Sequence, residues 1–149
     1  MAKLTNTIIE GTLQVEQDAL VTGDLTCMEY INTKGIRYSY LDLGAKSDNF
    51  IIDCDTASAV KFTVAADLTV GLTTTSPESM TKEMLLIINN GGAYTLTWPA
   101  SITWVKGVEP VLSASGTDVI SLILLGDSVT WLGSLNTSGS IFIDGGTWD

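Results

Sequence analysis

The stretch VISLILLGDSVTWLGSL, residues 119–135, predicts two strands joined by a tight turn. Its first half is apolar at nearly every position, which is typical of a strand whose two faces are both buried in a sheet. Gly126-Asp127 supplies turn-forming residues, and Trp131 begins a second apolar run. We therefore expect a hairpin whose first strand lies at the centre of a sheet.

A second stretch, MLLIINNGGAYTLTW, residues 84–98, also has two apolar segments separated by turn-forming residues. A continuous apolar run is followed by Asn90-Gly91-Gly92, and apolar residues then alternate through Tyr94, Leu96 and Trp98. An Asn-Gly pair adopts positive φ at low cost, so these residues favour a hairpin turn. The pattern predicts a second antiparallel pair.

Apolar residues also alternate in three stretches between residues 50 and 72, which predicts half-buried strands. The polar residues 73–83 that follow predict a long loop, or a short helix that Ser76 would cap and Pro77 would begin. In all, eight to ten short strands are expected, which favours an all-β, antiparallel sandwich or jelly-roll-like domain over residues 41–149. The alternating residues are Phe50, Ile52 and Cys54, then Val60, Phe62 and Val64, then Leu68, Val70 and Leu72.

The first forty residues have a rhythm of their own. Gly11, Gly23 and Gly35 recur every twelve residues, and Gly-x-Leu begins the first two units. The pattern indicates short strands that fold back or stack, with two ordinary hairpins as the alternative. Because these strands carry few apolar residues, we predict that residues 1–40 form an extended N-terminal β arm. Such an arm needs the rest of the domain, sister chains or a larger shell to bury it.

Composition excludes several classes of function. The 149 residues carry a formal net charge of −10 with scattered basic residues, which argues against nucleic-acid and membrane partners. The chain contains no histidine, so Ser-His and Cys-His nucleophiles and histidine-bound zinc are excluded. Cys27 and Cys54 are interpreted as buried thiols rather than a disulfide. No apolar run is long enough for a secretion signal or a membrane span, so we expect production in the cytoplasm.

Carboxylates are the candidate chemical groups. Asp53 and Asp55 are two residues apart on a predicted strand, where they would share a face, and Asp48 is nearby. Such a cluster could bind a hard cation such as calcium, although the usual loop spacings are missing. The alternative is the solvent face of a half-buried strand. Asp55-Thr56-Ala57 lacks the glycine of an aspartic-protease triplet, and no Asp/Glu pair is singled out for glycoside cleavage. We assign no catalytic, cofactor or metal residue and expect no enzyme activity.

The four tryptophans are the other candidates. Trp98 and Trp131 continue strand alternation, which predicts that they belong to the core. Trp104 follows a chain reversal after Pro99, since proline cannot donate to a strand ladder and ends the strand. Exposed tryptophans stack on sugars or anchor interfaces. We expect Trp104 to face the core or a trimer axis and Trp148 to dock on a neighbouring subunit.

Residues 96–135 resemble a segment that recurs in the virion proteins of tailed bacteriophages, in tail fibres and in capsid decoration proteins. This chain departs from the pattern at Lys106, where a glycine pair is common, and at Ser128, where Asp-Gly-Gly is usual. The resembling motifs are Trp98-Pro99, Trp104, Gly107, Pro110-Val111-Leu112, Gly116-Thr117-Asp118, Gly126-Asp127 and Trp131-Leu132-Gly133.

The resemblance implies a homotrimeric, non-catalytic β-sandwich of a phage virion. The short chain favours a capsid decoration (cement) protein that is seated on the major capsid protein and stabilises the assembled shell. A short tail fibre or receptor-binding tip that contacts host glycans is the second hypothesis. A small carbohydrate-binding or hydrolytic module outside any virus is the third.

Overall fold

The computed structural model describes residues 39–138, which belong to the second of the two units into which the chain divides, Arg37–Asp149. The N-terminal arm up to residue 38, with its glycine repeat and Cys27, lies outside the described residues, as does the segment 139–149 with Trp148. The described strands are β1 Tyr40–Lys46, β2 Phe50–Asp53, β3 Ala59–Val64, β4 Leu68–Thr73, β5 Lys82–Asn89, β6 Leu96–Thr97, β7 Ile102–Trp104, β8 Thr117–Leu124 and β9 Trp131–Ser138.

The strands form a six-stranded sheet in the order β1-β3-β5-β8-β9-β7 and a three-stranded sheet in the order β2-β4-β6. From β1 to β6, successive strands alternate between the two sheets, so each strand lies parallel to the one two places earlier. In the large sheet Leu41 lies beside Val60 and Val60 beside Leu86, while in the small sheet Phe50 lies beside Val70. The first half of the domain is therefore a two-sheet coil of three turns.

The predicted antiparallel sandwich or jelly roll is wrong. Five of the seven strand pairs in the described chain are parallel, and only β5–β8 and β8–β9 are antiparallel. Parallel neighbours need a crossover connection, and in the four parallel pairs among β1 to β6 a strand of the opposite sheet provides it. Alternation along a strand reports which face is buried but not which strand lies beside it, so the sequence pattern fits either arrangement.

Of the two predicted hairpins, the one at Gly126-Asp127 is confirmed and the one at Asn90 is wrong. The turn at Gly126-Asp127 joins β8 to β9 in antiparallel register, with Leu124 opposite Trp131, and β8 lies between β5 and β9 as expected. The predicted hairpin around Asn90 does not form, because β5 pairs with β3 and β8 while β6 joins the small sheet. The chain crosses from one sheet to the other at this point.

One apolar core lies between the two sheets. Alternate residues of β3, β5 and β8 are buried, and they meet inward-facing residues of β2, β4 and β6. The alternation predicted this for β3, whereas β8 was expected to be buried on both faces and Ile123 on its outer face is 40% exposed. Phe50 of the small sheet meets Phe62 of the large sheet edge to face, with ring centroids 5.1 Å apart. The fully buried apolar side chains from β3, β5 and β8 are Val60, Phe62, Val64, Met84, Leu86, Ile88, Ile120, Leu122 and Leu124.

Residues 74–81 form a loop, and the helix considered at Ser76-Pro77 is not present. Met80 N–H donates to the Pro77 carbonyl at 3.3 Å, and Ser79 has a positive φ of 68°, so the segment closes a turn instead of a helix. Nowhere in residues 39–138 is there a helix of the length and apolarity needed to cross a bilayer.

Candidate functional site

The tryptophan pair, Trp98 and Trp104, lies where the chain passes from the small sheet to the large one. β6 ends at Thr97, and Ile102 N–H donates to the Pro99 carbonyl at 3.0 Å to close the corner. Trp131 N–H then donates to the Ser101 carbonyl at 2.8 Å, which brings β7 alongside β9. The break between the two tryptophans is therefore a crossover between sheets.

The two indole rings meet edge to face. Their centroids are 5.4 Å apart at an interplanar angle of 76°. Trp104 packs closely on Gly133, where an added Cβ would be only 2.6 Å from the Trp104 ring. Both tryptophans are half-buried and pack against the edge of the core, whereas Trp131 is 2% exposed and belongs to the core as predicted.

The segment 108–116, which we call the strap, crosses the end of the sheet beside the tryptophan pair. Leu112 of the strap packs on Gly91 and Gly92, where an added Cβ would overlap the Leu112 side chain or its carbonyl oxygen. Gly92 N–H also donates to the Ser113 carbonyl at 3.0 Å. The glycine pair is thus required for close approach of the strap. Asn90 alone of these turn residues has a positive φ, 56°.

Asp118 anchors the strap from inside the sheet. Its carboxylate is fully buried and accepts hydrogen bonds from the Ser113 N–H at 2.7 Å and the Ser113 hydroxyl at 2.9 Å. Asn90 N–H donates to the Gly116 carbonyl at 2.9 Å and closes the other end of the strap. The motif Gly116-Thr117-Asp118 therefore holds a loop in place. A buried carboxylate needs such donors, since an unpaired buried charge is strongly unfavourable.

Two shallow cavities flank the tryptophan pair and share Pro110 as a wall. The Trp104 cavity, about 220 Å³, is lined by residues that include Trp104, Val105, Lys106 and Val108, together with residues 133–135 of β9. The Tyr94 cavity, about 180 Å³, is lined by residues that include Tyr94, Trp98, Glu109 and Leu112. Because Pro110 lines both cavities, the side chains around them lie next to one another.

Four apolar side chains beside these cavities are exposed to solvent. Val111 is 89% exposed, Val108 71%, Tyr94 47% and Val105 42%. Lys106 and Glu109 are the charged side chains that line the two cavities. We call these four exposed apolar residues together with the tryptophan pair the apolar face. Contiguous apolar surface of this kind is typical of a site of contact with another macromolecule or a ligand.

Of the carboxylates considered as a cation site, Asp53 and Asp55 accept hydrogen bonds from neighbouring residues of the chain. Asp55 accepts hydrogen bonds from Lys82 Nζ at 2.7 Å, from the Thr75 N–H at 2.6 Å and from the Thr74 hydroxyl at 2.9 Å. The Lys82 ammonium and the Thr75 N–H hold the pKa of Asp55 well below its usual range. Asp53 accepts the Asp55 N–H at 2.9 Å. In residues 39–138 no cluster of three or more acidic, cysteine or histidine side chains is arranged to hold a metal ion. Asp55 instead fastens the 74–81 loop to the turn after β2.

Cys54 is a buried free thiol. Burial raises its pKa to about 11, so the reactive thiolate is suppressed at neutral pH. The side chain packs in the core between the sheets, as the interpretation of a small buried apolar residue predicted. The other cysteine of the chain, Cys27, lies outside the described residues.

Comparison of the chain with protein-family models, with curated proteins and with solved structures found no match.

Sequence reasoning identified the tryptophans and the glycine motifs but not how they are connected. The sequence shows the motif Gly116-Thr117-Asp118, but it does not indicate that Asp118 anchors the strap through Ser113. Val108 and Val111 were also missed, because isolated valines in a Gly/Ser-rich loop give no periodic signal. Only their placement beside Tyr94 and the tryptophan pair makes them a surface.

Proposed function

We propose that this chain is a structural protein of a tailed-bacteriophage particle, a homotrimeric capsid decoration protein that binds the assembled shell and stabilises it without catalysis. Its partners would be two sister chains and the major capsid protein, and its place the virion, assembled in the host cytoplasm. The observation that carries this proposal is the apolar face, which offers a binding surface built on a rigid scaffold.

The contacts around the apolar face support a role in binding. Removing apolar surface from water contributes about 25 cal/mol per Å² to association, and aromatic residues are the usual energetic centres of interfaces. Here Trp98 and Trp104 are already held edge to face and Gly133 fixes the position of Trp104. Pre-positioned side chains lose little conformational entropy on binding, so this surface is suited to a partner of matching shape.

The residues that carry the phage resemblance give a second line of support, because several of them hold the apolar face in position. Gly133 admits Trp104, Asp118 anchors the strap, and Leu112 packs on the glycine pair. A segment whose residues hold an apolar surface in a fixed position is suited to a structural component of a particle. Since such a protein binds the assembled lattice and not free subunits, it stabilises the shell by mass action.

The proposal is tested by heating purified shells with and without the added protein. We expect the rupture temperature to rise with the wild-type chain and not with Val111→Asp, which places a charge in the apolar face. Val129→Asp is the matched control, because Val129 is 65% exposed but lies in the β8–β9 turn at the far end of β8. Equal rupture temperatures with and without wild-type protein would refute the cement function.

A tail-fibre or receptor-binding role is the second candidate, and the Tyr94 cavity favours it. Tyr94 and Trp98 line a shallow depression with the Glu109 carboxylate, an arrangement in which aromatic rings stack on a sugar and the carboxylate accepts its hydroxyl groups. Glycan-array binding that is lost in Tyr94→Ala, together with immunogold label on the tail instead of the head, would select this function. An array without hits would remove it.

A further inference from the structure

Lys106 is a strained residue that lines the Trp104 cavity. Its φ is 64° and the following Gly107 has a φ of 70°, so the chain takes two successive left-handed steps there. A residue with a Cβ is disfavoured in this region, because the Cβ crowds the following carbonyl oxygen. Backbone strain of this kind clusters at sites where a side chain has to be aimed at a ligand. The strain at Lys106 therefore indicates a role for its ammonium group in binding.

The Trp104 cavity has a fixed aromatic wall. Trp104 is half-buried, packs closely on Gly133 and meets the Trp98 ring with centroids 5.4 Å apart. Val105 and Val108, which are 42% and 71% exposed, add apolar surface to the same cavity. The indole ring is thus held in place before a ligand arrives, which lowers the entropy cost of binding.

Lys106 and Ser134 bring polar side chains to the Trp104 cavity. Lysine offers an ammonium group, and serine offers a hydroxyl group that can donate or accept a hydrogen bond. The neighbouring Tyr94 cavity is lined instead by Glu109, which brings a carboxylate. An anionic group is therefore favoured in the Trp104 cavity and repelled from the cavity beside it.

The size and lining of the cavity favour a single sugar ring. Its volume of about 220 Å³ is smaller than the about 300–1,000 Å³ of sites for drug-sized ligands. A sugar ring presents C–H groups on one face, which pack on an aromatic ring, and hydroxyl groups around its rim, which suit Ser134. A carboxylate on that ring would meet Lys106 in a charge-assisted hydrogen bond.

We propose that the Trp104 cavity binds a carboxylated sugar, with the sugar ring against Trp104 and its carboxylate paired with Lys106. A uronic acid and a sialic acid both have this chemistry. The site goes beyond the proposed function, because it needs neither a shell nor a second copy of the chain. Failure of the shell-heating test would leave the sugar site standing, and loss of the sugar site would leave the cement function standing.

NMR titration of the full chain tests the proposal with two carboxylated probes, tri-galacturonic acid and sialyllactose. We expect at least one of them to shift the Trp104 indole N–H and the Gly133 amide, while the amides of β1 stay unchanged. The methyl ester of the bound probe is the matched neutral ligand. It should bind about 5-fold more weakly, the upper end for an exposed ion pair. A peptide of three glutamates with blocked ends represents acidic protein segments and should bind no better than the ester.

Lys106→Gly separates loss of the charge from damage to the fold. Because glycine relieves the strain at a φ of 64°, the urea midpoint of this variant should equal or exceed that of the wild type. It should nevertheless bind the acidic probe about 5-fold more weakly. Lys106→Arg keeps the charge and should bind within about 2-fold of the wild type. Lys46→Gln is the matched control, because it removes the same charge from β1, at the opposite edge of the large sheet from β7, and should bind normally.

Three outcomes would overturn the proposal. The first is that neither acidic sugar shifts the Trp104 signals at about 10 mM, a concentration that detects even weak binding. The second is that the ester, or Lys106→Gly with the acid, binds as tightly as the wild type binds the acid. The third is that the glutamate peptide binds more tightly than both sugars, which would assign the cavity to an acidic protein segment.

Discussion

Gly133→Ala should destabilise the protein because Trp104 lies on this glycine. The added Cβ would be 2.6 and 2.7 Å from two carbons of the Trp104 ring and 3.0 Å from Ile102 Cγ2. Since favourable carbon–carbon contacts lie near 3.5–4.0 Å, the ring must move by roughly 1 Å. That movement would also disturb the edge-to-face contact with Trp98.

The expected net effect is a loss of about 2 kcal/mol in the free energy of unfolding. Overpacking costs about 1–3 kcal/mol and the aromatic contact contributes about 0.5–1.5 kcal/mol, while replacing a strand glycine by alanine returns roughly 0.5–1 kcal/mol. Gly126→Ala is the control, because a Cβ there would meet its nearest atom at an ordinary 3.5 Å. We expect that variant to stay within about 0.5 kcal/mol of the wild type.

Urea unfolding followed by circular dichroism measures both variants, with an unchanged m-value as the sign that only stability has altered. A double-mutant cycle isolates the cause. In a Trp104→Ala background, Gly133→Ala should cost less than about 0.5 kcal/mol, because the Ile102 contact is all that remains. The reasoning fails if Gly133→Ala is as stable as the wild type, or if its cost is the same in both backgrounds.

Three other substitutions probe the strap, the 74–81 loop and the β8–β9 turn. Asp118→Ala should cost about 2 kcal/mol in urea unfolding, because it leaves the half-buried Ser113 donors unpaired; a neutral result would show that the strap is not anchored there. Asp55→Asn should cost about 1 kcal/mol at pH 7 through loss of the Lys82 contact. Because folding lowers the pKa of Asp55, its contribution is present above the unfolded value near 3.9 and fades as the pH falls below it, so the wild-type advantage should shrink at pH 3. Ser128→Gly should stabilise by about 1 kcal/mol, since Ser128 has a φ of 61° and its buried hydroxyl oxygen lacks a hydrogen-bond partner; no gain in the urea midpoint would contradict this.

Two departures from the phage pattern acquire a physical meaning in the structure. Lys106, where a glycine pair is common, has a φ of 64°, and Ser128, where glycine is usual, has a φ of 61°. Both residues occupy the left-handed region that favours glycine. The sequence marked these positions as unusual, but only the backbone angles reveal the strain.

Part of the candidate site was predictable and part was not. The tryptophans, Pro99 and the glycine motifs were visible in the sequence as breaks in an apolar pattern. The exposure of Val108 and Val111, and the anchoring of the strap by Asp118, depend on residues that are brought together across the sheet. No local pattern records such contacts, because they join segments whose packing is set by the whole fold.

For β2, β3 and β4 the sequence by itself determined which side of the strand is buried, because a period of two places alternate side chains on opposite faces. It also determined the β8–β9 hairpin, since a short turn leaves its two strands little choice of partner. Only the tertiary structure decided that β1 to β6 wind between two sheets in parallel. The neighbours in those pairs come from separate turns of the coil, such as Leu41 with Val60 and Leu68 with Leu96, and their pairing is set by how the two sheets share one core.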